Sequence, residues 1–153
     1  MTPDTISDEQ VILEAVRLVG EGLSVTLRVN GRSMLPFIRG GERAVLTRPG
    51  AVRRGDVVLA RIDGSRYVLH RVLQLSPERV VLMGDGNLRA RESCRPDDIL
   101  ARTDEIVGCD GRHRRLDAPL RRFSARLWRW LLPLRRGLLF LYRNLCLRNT
   151  PIR

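Results

Sequence analysis

The sequence predicts a mainly β protein: a partly closed antiparallel β-domain with an N-terminal helix and C-terminal amphipathic helices. Three observations carry this expectation. Between residues 24 and 116, short stretches alternate apolar and polar residues, which is the two-residue period of half-buried strands. Turn-forming links separate them, namely Arg39-Gly40-Gly41, Pro49-Gly50, Asp63-Gly64-Ser65 and Ser76-Pro77. On either side of this region the apolar spacing lengthens to that of a helix.

The elements follow in order. Residues 1–23 form the N-terminal segment, whose helix is predicted from Ser7 to Glu21. Ser7 serves as N-cap, Asp8 and Glu9 fill the first turn, and Gly20 and Gly22 mark the end. Val11, Ile12, Ala15, Val16, Leu18 and Val19 make its apolar stripe. Residues 24–116 form the β-domain. Its strands are predicted at Ser24–Asn30, Arg43–Thr47, Asp56–Ile62, Arg66–Leu75, Arg79–Met83, Ile99–Val107 and Arg112–Leu116, the last two joined by a hairpin at Asp110-Gly111. Residues 117–153 form a separate Arg-rich tail, opened by Asp117 before Pro119.

All 28 basic residues are arginine. A lysine base or Schiff base is therefore excluded from the chemistry. The formal charge of +11 is uneven. Residues 1–111 carry 16 arginines and 16 acids, whereas residues 112–153 carry 12 arginines and only Asp117 as an acid. A body built to track nucleic acid would carry its charge on the folded domain, so no nucleic-acid partner is expected. Cys94, Cys109 and Cys146 have no metal-ligand spacing, and their odd number argues for free thiols. No metal or other cofactor is expected. Neither a signal peptide nor a spanning segment is apparent: the longest uncharged stretches near the C-terminus are Trp130–Leu134 and Gly137–Tyr142, and a spanning helix needs about 20 mostly apolar residues.

Four short motifs carry the chemistry: Gly31-Arg32-Ser33-Met34-Leu35-Pro36, Arg54-Gly55-Asp56-Val57-Val58, Tyr67-Val68-Leu69-His70-Arg71-Val72 and Met83-Gly84-Asp85-Gly86-Asn87. In this order and spacing they resemble the four sequence boxes of the signal peptidase I family and of its relatives, the LexA-type self-cleaving repressors. The resemblance spans roughly residues 24 to 116 and implies a β-domain of LexA/signal-peptidase type. It also implies that Ser33 is the nucleophile and that His70, standing where most members have lysine, is the general base. The chain thus resembles the serine–histidine type of the family.

The residue chemistry agrees with that implication. A serine hydroxyl attacks only when a base takes its proton, and histidine titrates near neutral pH. Strand alternation places Val68, His70 and Val72 on one face and Arg71 on the other. A third, acidic member is expected to orient His70. Arg91 stands where the resemblance would put an aspartate, so Asp85 is ranked first for this role and Glu92 second. Gly31 occupies the position of a serine that donates to the oxyanion in many family members. Losing one such donor costs about 3 kcal/mol of transition-state stabilisation. Arg54, Gly55 and Asp56 are expected to make a turn into a strand, and His113, among arginines, to lie at the surface.

In the tail, Leu120, Phe123, Leu127, Trp130, Leu131 and Leu134 fall at helical spacing with Arg122, Arg126 and Arg129 on another face. Pro133 interrupts, and Leu138, Leu141 and Leu145 continue the theme. Such a helix can lie in the headgroup plane of an anionic membrane, each basic residue near the surface contributing about 1 kcal/mol. The expectation is a peripheral membrane protein on the cytoplasmic side; the alternative is a helical hairpin that packs its apolar stripe on the β-domain or on a partner protein. Full-length protein should co-sediment with anionic liposomes at low salt; protein that stays in the supernatant would overturn this.

The activity expected is a serine endopeptidase acting on a protein or peptide substrate through an acyl-enzyme on Ser33. Two rivals stand beside it. A non-catalytic peptide- or membrane-binding module would explain Gly31 and the uncertain acid. A self-cleaving regulator would need more than the 23 residues that precede the first strand, and they contain no visible cleavage site.

Overall fold

The computed structural model describes residues 8–87, 89–116, 134 and 137–141. Helix α1 spans Asp8–Gly20. The expected cap, Ser7, lies outside the described residues. Only part of the predicted stripe is buried: Ala15 and Val19 are enclosed, Ile12 and Val16 pack at the edge of the same cluster, and Val11 stays exposed. The helix stops where the N–H groups of Gly22 and Leu23 turn back to the carbonyls of Val19 and Leu18. Gly22 reaches this geometry at φ +92°, a conformation that a residue without Cβ adopts readily.

Eight strands follow among the described residues. They are β1 (Val25–Arg28), β2 (Arg43–Thr47), β3 (Val57–Ile62), β4 (Arg66–Leu75), β5 (Val80–Met83), β6 (Glu92–Cys94), β7 (Ile99–Val107) and β8 (His113–Arg115). A 3₁₀ turn at Pro96–Asp98 precedes β7. They form one antiparallel sheet in the order β1-β2-β7-β3-β4-β5-β6, and β8 pairs with β7 beyond the point where β3 stops. The mainly β expectation holds, and the sheet curls into a half-barrel. Register shifts at Val45/Leu46, Leu59/Ala60 and Val72/Gln74 supply local twist. The predicted strands recur with small differences at their ends, whereas β6 has no predicted counterpart.

Strand β3 lies at the centre, and its near-continuous apolar run is buried on both faces. Val57 and Leu59 join α1, β1, β2, Met34 and Ile38 in one core cluster. Val58, Ala60 and Ile62 join Val72, Val80, Leu82 and Ile99 in a second on the opposite face. A strand covered on both sides has no reason to alternate apolar with polar. The β3–β4 hairpin closes through Asp63 and Gly64, both at positive φ, as tight hairpin loops require.

Most of the tail lies outside the described residues. Residues 137–141 are helical, with Leu139 buried and Leu138, Phe140 and Leu141 exposed. Among the described residues no helix is long and apolar enough to cross a membrane.

Candidate active site

Ser33 sits in the turn-rich link between β1 and β2, immediately before buried Met34 and Leu35. The loop is held from below by the turn after β5. The Gly86 N–H donates to the Ser33 carbonyl at 2.7 Å, and the Asn87 N–H closes the turn onto the Gly84 carbonyl at 3.0 Å. This contact explains the glycines of that motif. A Cβ on Gly84 would lie 2.4 Å from the Ser33 carbonyl oxygen, and one on Gly86 would lie 2.6 Å from the Arg32 carbonyl oxygen. Only residues lacking a side chain allow the two backbones to meet.

His70 lies on β4, with Val58 of β3 as its cross-strand partner. Ser33 and His70 line the same cavity of about 130 Å³, together with Gly31, Met34, Tyr67 and Val68. The structure thus brings together the two residues that the motifs single out, from segments 37 positions apart in the sequence.

The acid nearest the imidazole is Glu92. Its Oε2 is 2.8 Å from His70 Nδ1, and the two side chains are only 18% and 6% exposed. The carboxylate oxygen and the ring nitrogen thus form a close, largely buried polar contact. Asp85, ranked first from the sequence, is turned elsewhere. Its carboxylate takes a bidentate pair from Arg71, with Nη2 to Oδ2 at 2.7 Å and Nε to Oδ1 at 2.9 Å, both residues buried. The order of the two acids is therefore reversed: Glu92 touches His70, and Asp85 ties down the turn that supports Ser33. Arg91, where the resemblance would put an aspartate, is exposed. Glu92 sits on the three-residue strand β6, which is too short for periodicity to reveal.

Arg71 is a residue whose importance the sequence does not announce. It points to the opposite face from His70, as strand alternation demands. There it ties its own motif to two of the others. Besides holding Asp85, its Nη1 donates to the Gly55 carbonyl at 2.7 Å. Its guanidinium also lies 5.7 Å from the centre of the Phe37 ring, just beyond the Ser33 motif. Gly55 and Asp56 form the expected turn into β3, with Gly55 at φ +98° and Asp56 Oδ2 accepting from the Arg53 N–H at 2.8 Å. Neither a carboxylate in a Gly-rich turn nor an arginine in mid-strand carries a periodic signal. Only their pairing across the fold exposes the role.

Gly31 lines the cavity at φ +92°, a backbone conformation in which a serine would be strained. His113 is exposed as expected and meets Glu105 Oε1 at 2.6 Å. Cys94 and Cys109 are free thiols, and burial pushes the Cys94 thiol up to about 11. Cys146 lies outside the described residues.

Burial pushes the His70 imidazole below its ordinary range; Glu92 opposes this, and Arg66 adds to it. An imidazole held in this way is neutral at neutral pH, and so able to accept a proton. The same shift has a stability consequence. The unfolded chain takes up the proton first as pH falls below about 6.5, so folding stability declines from there down to the folded-state value and then levels. Urea unfolding measured from pH 8 to pH 5 should show this decline, and His70→Gln should lack that component. An equal decline in both proteins would assign it to other groups.

A second and larger groove, of about 360 Å³, continues from the cavity, sharing Val29, Asn30, Tyr67 and Leu69 with it. Its walls are α1 and two strand edges. The outer edge of β1 carries no strand, and β5 pairs with β4 only from Arg71 onward, leaving the Arg66–His70 edge open among the described residues.

A half-barrel whose cavity is lined by a serine and a histidine from separate motifs is a serine-peptidase-like arrangement. The family model described as Peptidase S24-like matches residues 2–103, two-thirds of the chain. The chain belongs to that family, within the LexA and signal-peptidase-like superfamily. A search of curated proteins found no match.

Proposed function

We propose that the protein is a serine endopeptidase of the serine–histidine, signal-peptidase-like type, with Ser33 as nucleophile, His70 as general base and Glu92 as the acid that orients it. The observation that carries this reading is the shared cavity of Ser33 and His70 with Glu92 against Nδ1. With Nδ1 held there, Nε2 takes the Ser33 proton as Oγ attacks the substrate carbonyl carbon. The imidazolium then returns that proton to the leaving amine as the peptide C–N bond breaks, and water, activated by the same base, releases the acyl group. The Ser33 backbone N–H is the donor available to the oxyanion where Gly31 offers no hydroxyl. An extended substrate fits the groove between the β1 and β4 edges, since backbone pairing is a general way to hold a peptide.

A fluorophosphonate, whose phosphorus is attacked by an activated serine Oγ with loss of fluoride, tests this reading. Intact mass and peptide mapping should place one adduct on Ser33, absent from Ser33→Ala and strongly slowed in His70→Ala. Wild-type protein that takes no adduct across the neutral and mildly alkaline range would favour the non-catalytic binding module instead.

A further inference from the structure

The Glu92 carboxylate is shared. While Oε2 lies 2.8 Å from His70 Nδ1, Oε1 lies 2.6 Å from Arg66 Nη1. Arg66 and His70 stand four residues apart on β4, on one face of the strand. Their Cα atoms are therefore about 13 Å apart, and Glu92 from β6 contacts both side chains. Burial grades along the row: the side chains are 6% exposed at His70, 18% at Glu92 and 55% at Arg66.

We propose that Arg66 is a positioning residue for the base, anchoring Glu92 at the rim and limiting how strongly that carboxylate supports the imidazolium. The inference rests on the peptidase reading for its catalytic meaning, but the arrangement itself is a property of the fold. Glu92 paired to His70 alone would concentrate its charge on the protonated ring and slow the return of the proton. Shared with Arg66, it is partly neutralised before the proton arrives. Arg66 holds Oε1 on one side of the carboxylate while Oε2 approaches Nδ1 on the other. Asp85 also acts on His70 through its charge, but its carboxylate is bound by Arg71. Arg66 is thus the part of this charge set that is most exposed to solvent and can be changed without opening the core.

The test compares full-length wild type, Arg66→Gln and Arg66→Lys. Proton NMR follows the His70 ring, with His113→Gln assigning the second histidine. In Arg66→Gln the ring should titrate at higher pH than in wild type, and Arg66→Lys should restore much of the difference. Fluorophosphonate labelling of Ser33 should slow about threefold on the acid side of the profile, as befits a partly exposed ion pair, and stay unchanged at alkaline pH. Identical His70 titration in wild type and Arg66→Gln would overturn the proposal. If Ser33 takes no label in any protein, the peptidase reading fails, and the titration still decides the role of Arg66.

Discussion

Replacing Ser33 by alanine is expected to lower peptide hydrolysis by about ten-thousandfold or more, the scale seen when a nucleophile that acts as one unit with its base is removed. The size of the effect follows from the proposed mechanism. Without Oγ there is no acyl-enzyme, and the remaining groups can only bind and polarise the substrate. Ser33 is partly exposed at the cavity and its supporting contacts are made by its backbone, so alanine should leave the fold intact. Matched unfolding curves check this. Comparing protein N-termini from cells that carry wild type or Ser33→Ala would identify substrates, as ends that depend on Ser33. Equal hydrolysis by the two proteins would remove Ser33 from the mechanism.

The second large effect is expected at Arg71. Arg71→Ala should cost about 3–5 kcal/mol, because it takes away the cation paired with the buried Asp85 carboxylate. That is a large share of the roughly 5–15 kcal/mol typical of whole domains, and it should lower the thermal midpoint by about 10 °C. The Gly55 carbonyl and the Phe37 ring lose their contact with the guanidinium as well. Lysine is a poor substitute, since the bidentate fork to Asp85 needs a guanidinium. Replacing both members, as Arg71→Met with Asp85→Leu, should cost less than the single change, because neither charge of the pair is then left buried alone. Thermal unfolding of the single and double variants measures this coupling. An unchanged midpoint in Arg71→Ala would show that the pair does not hold the site together.

These residues mark different degrees of legibility. Ser33 and His70 stand out because they fall in two of four motifs whose order and spacing together resemble those of a peptidase family; a serine before a proline-fixed turn, or a histidine in a strand, would not stand out alone. Arg71 and Glu92 do not. An arginine beside a histidine looks like an ordinary exposed strand residue, and Glu92 lies among Arg89, Arg91 and Arg95, where a charged surface loop is the natural expectation. Asp85 is legible, but for the role that Glu92's position fits.

The sequence by itself determined the local elements. Strand period, turn residues and the helix stop at Gly20-Glu21-Gly22 are properties of neighbouring residues, so α1 and every described strand except β6 are legible with small errors at their ends. It also determined that no lysine could serve as base. The tertiary structure alone decided which charge meets which. Curling of the sheet brings β6 to β4 and places Glu92 between His70 and Arg66, while the turn after β5 closes under Ser33 and delivers Asp85 to Arg71. Those distances depend on the return of the chain over tens of residues, and the energies involved depend on burial. Neither quantity is encoded in the spacing of residues along one strand.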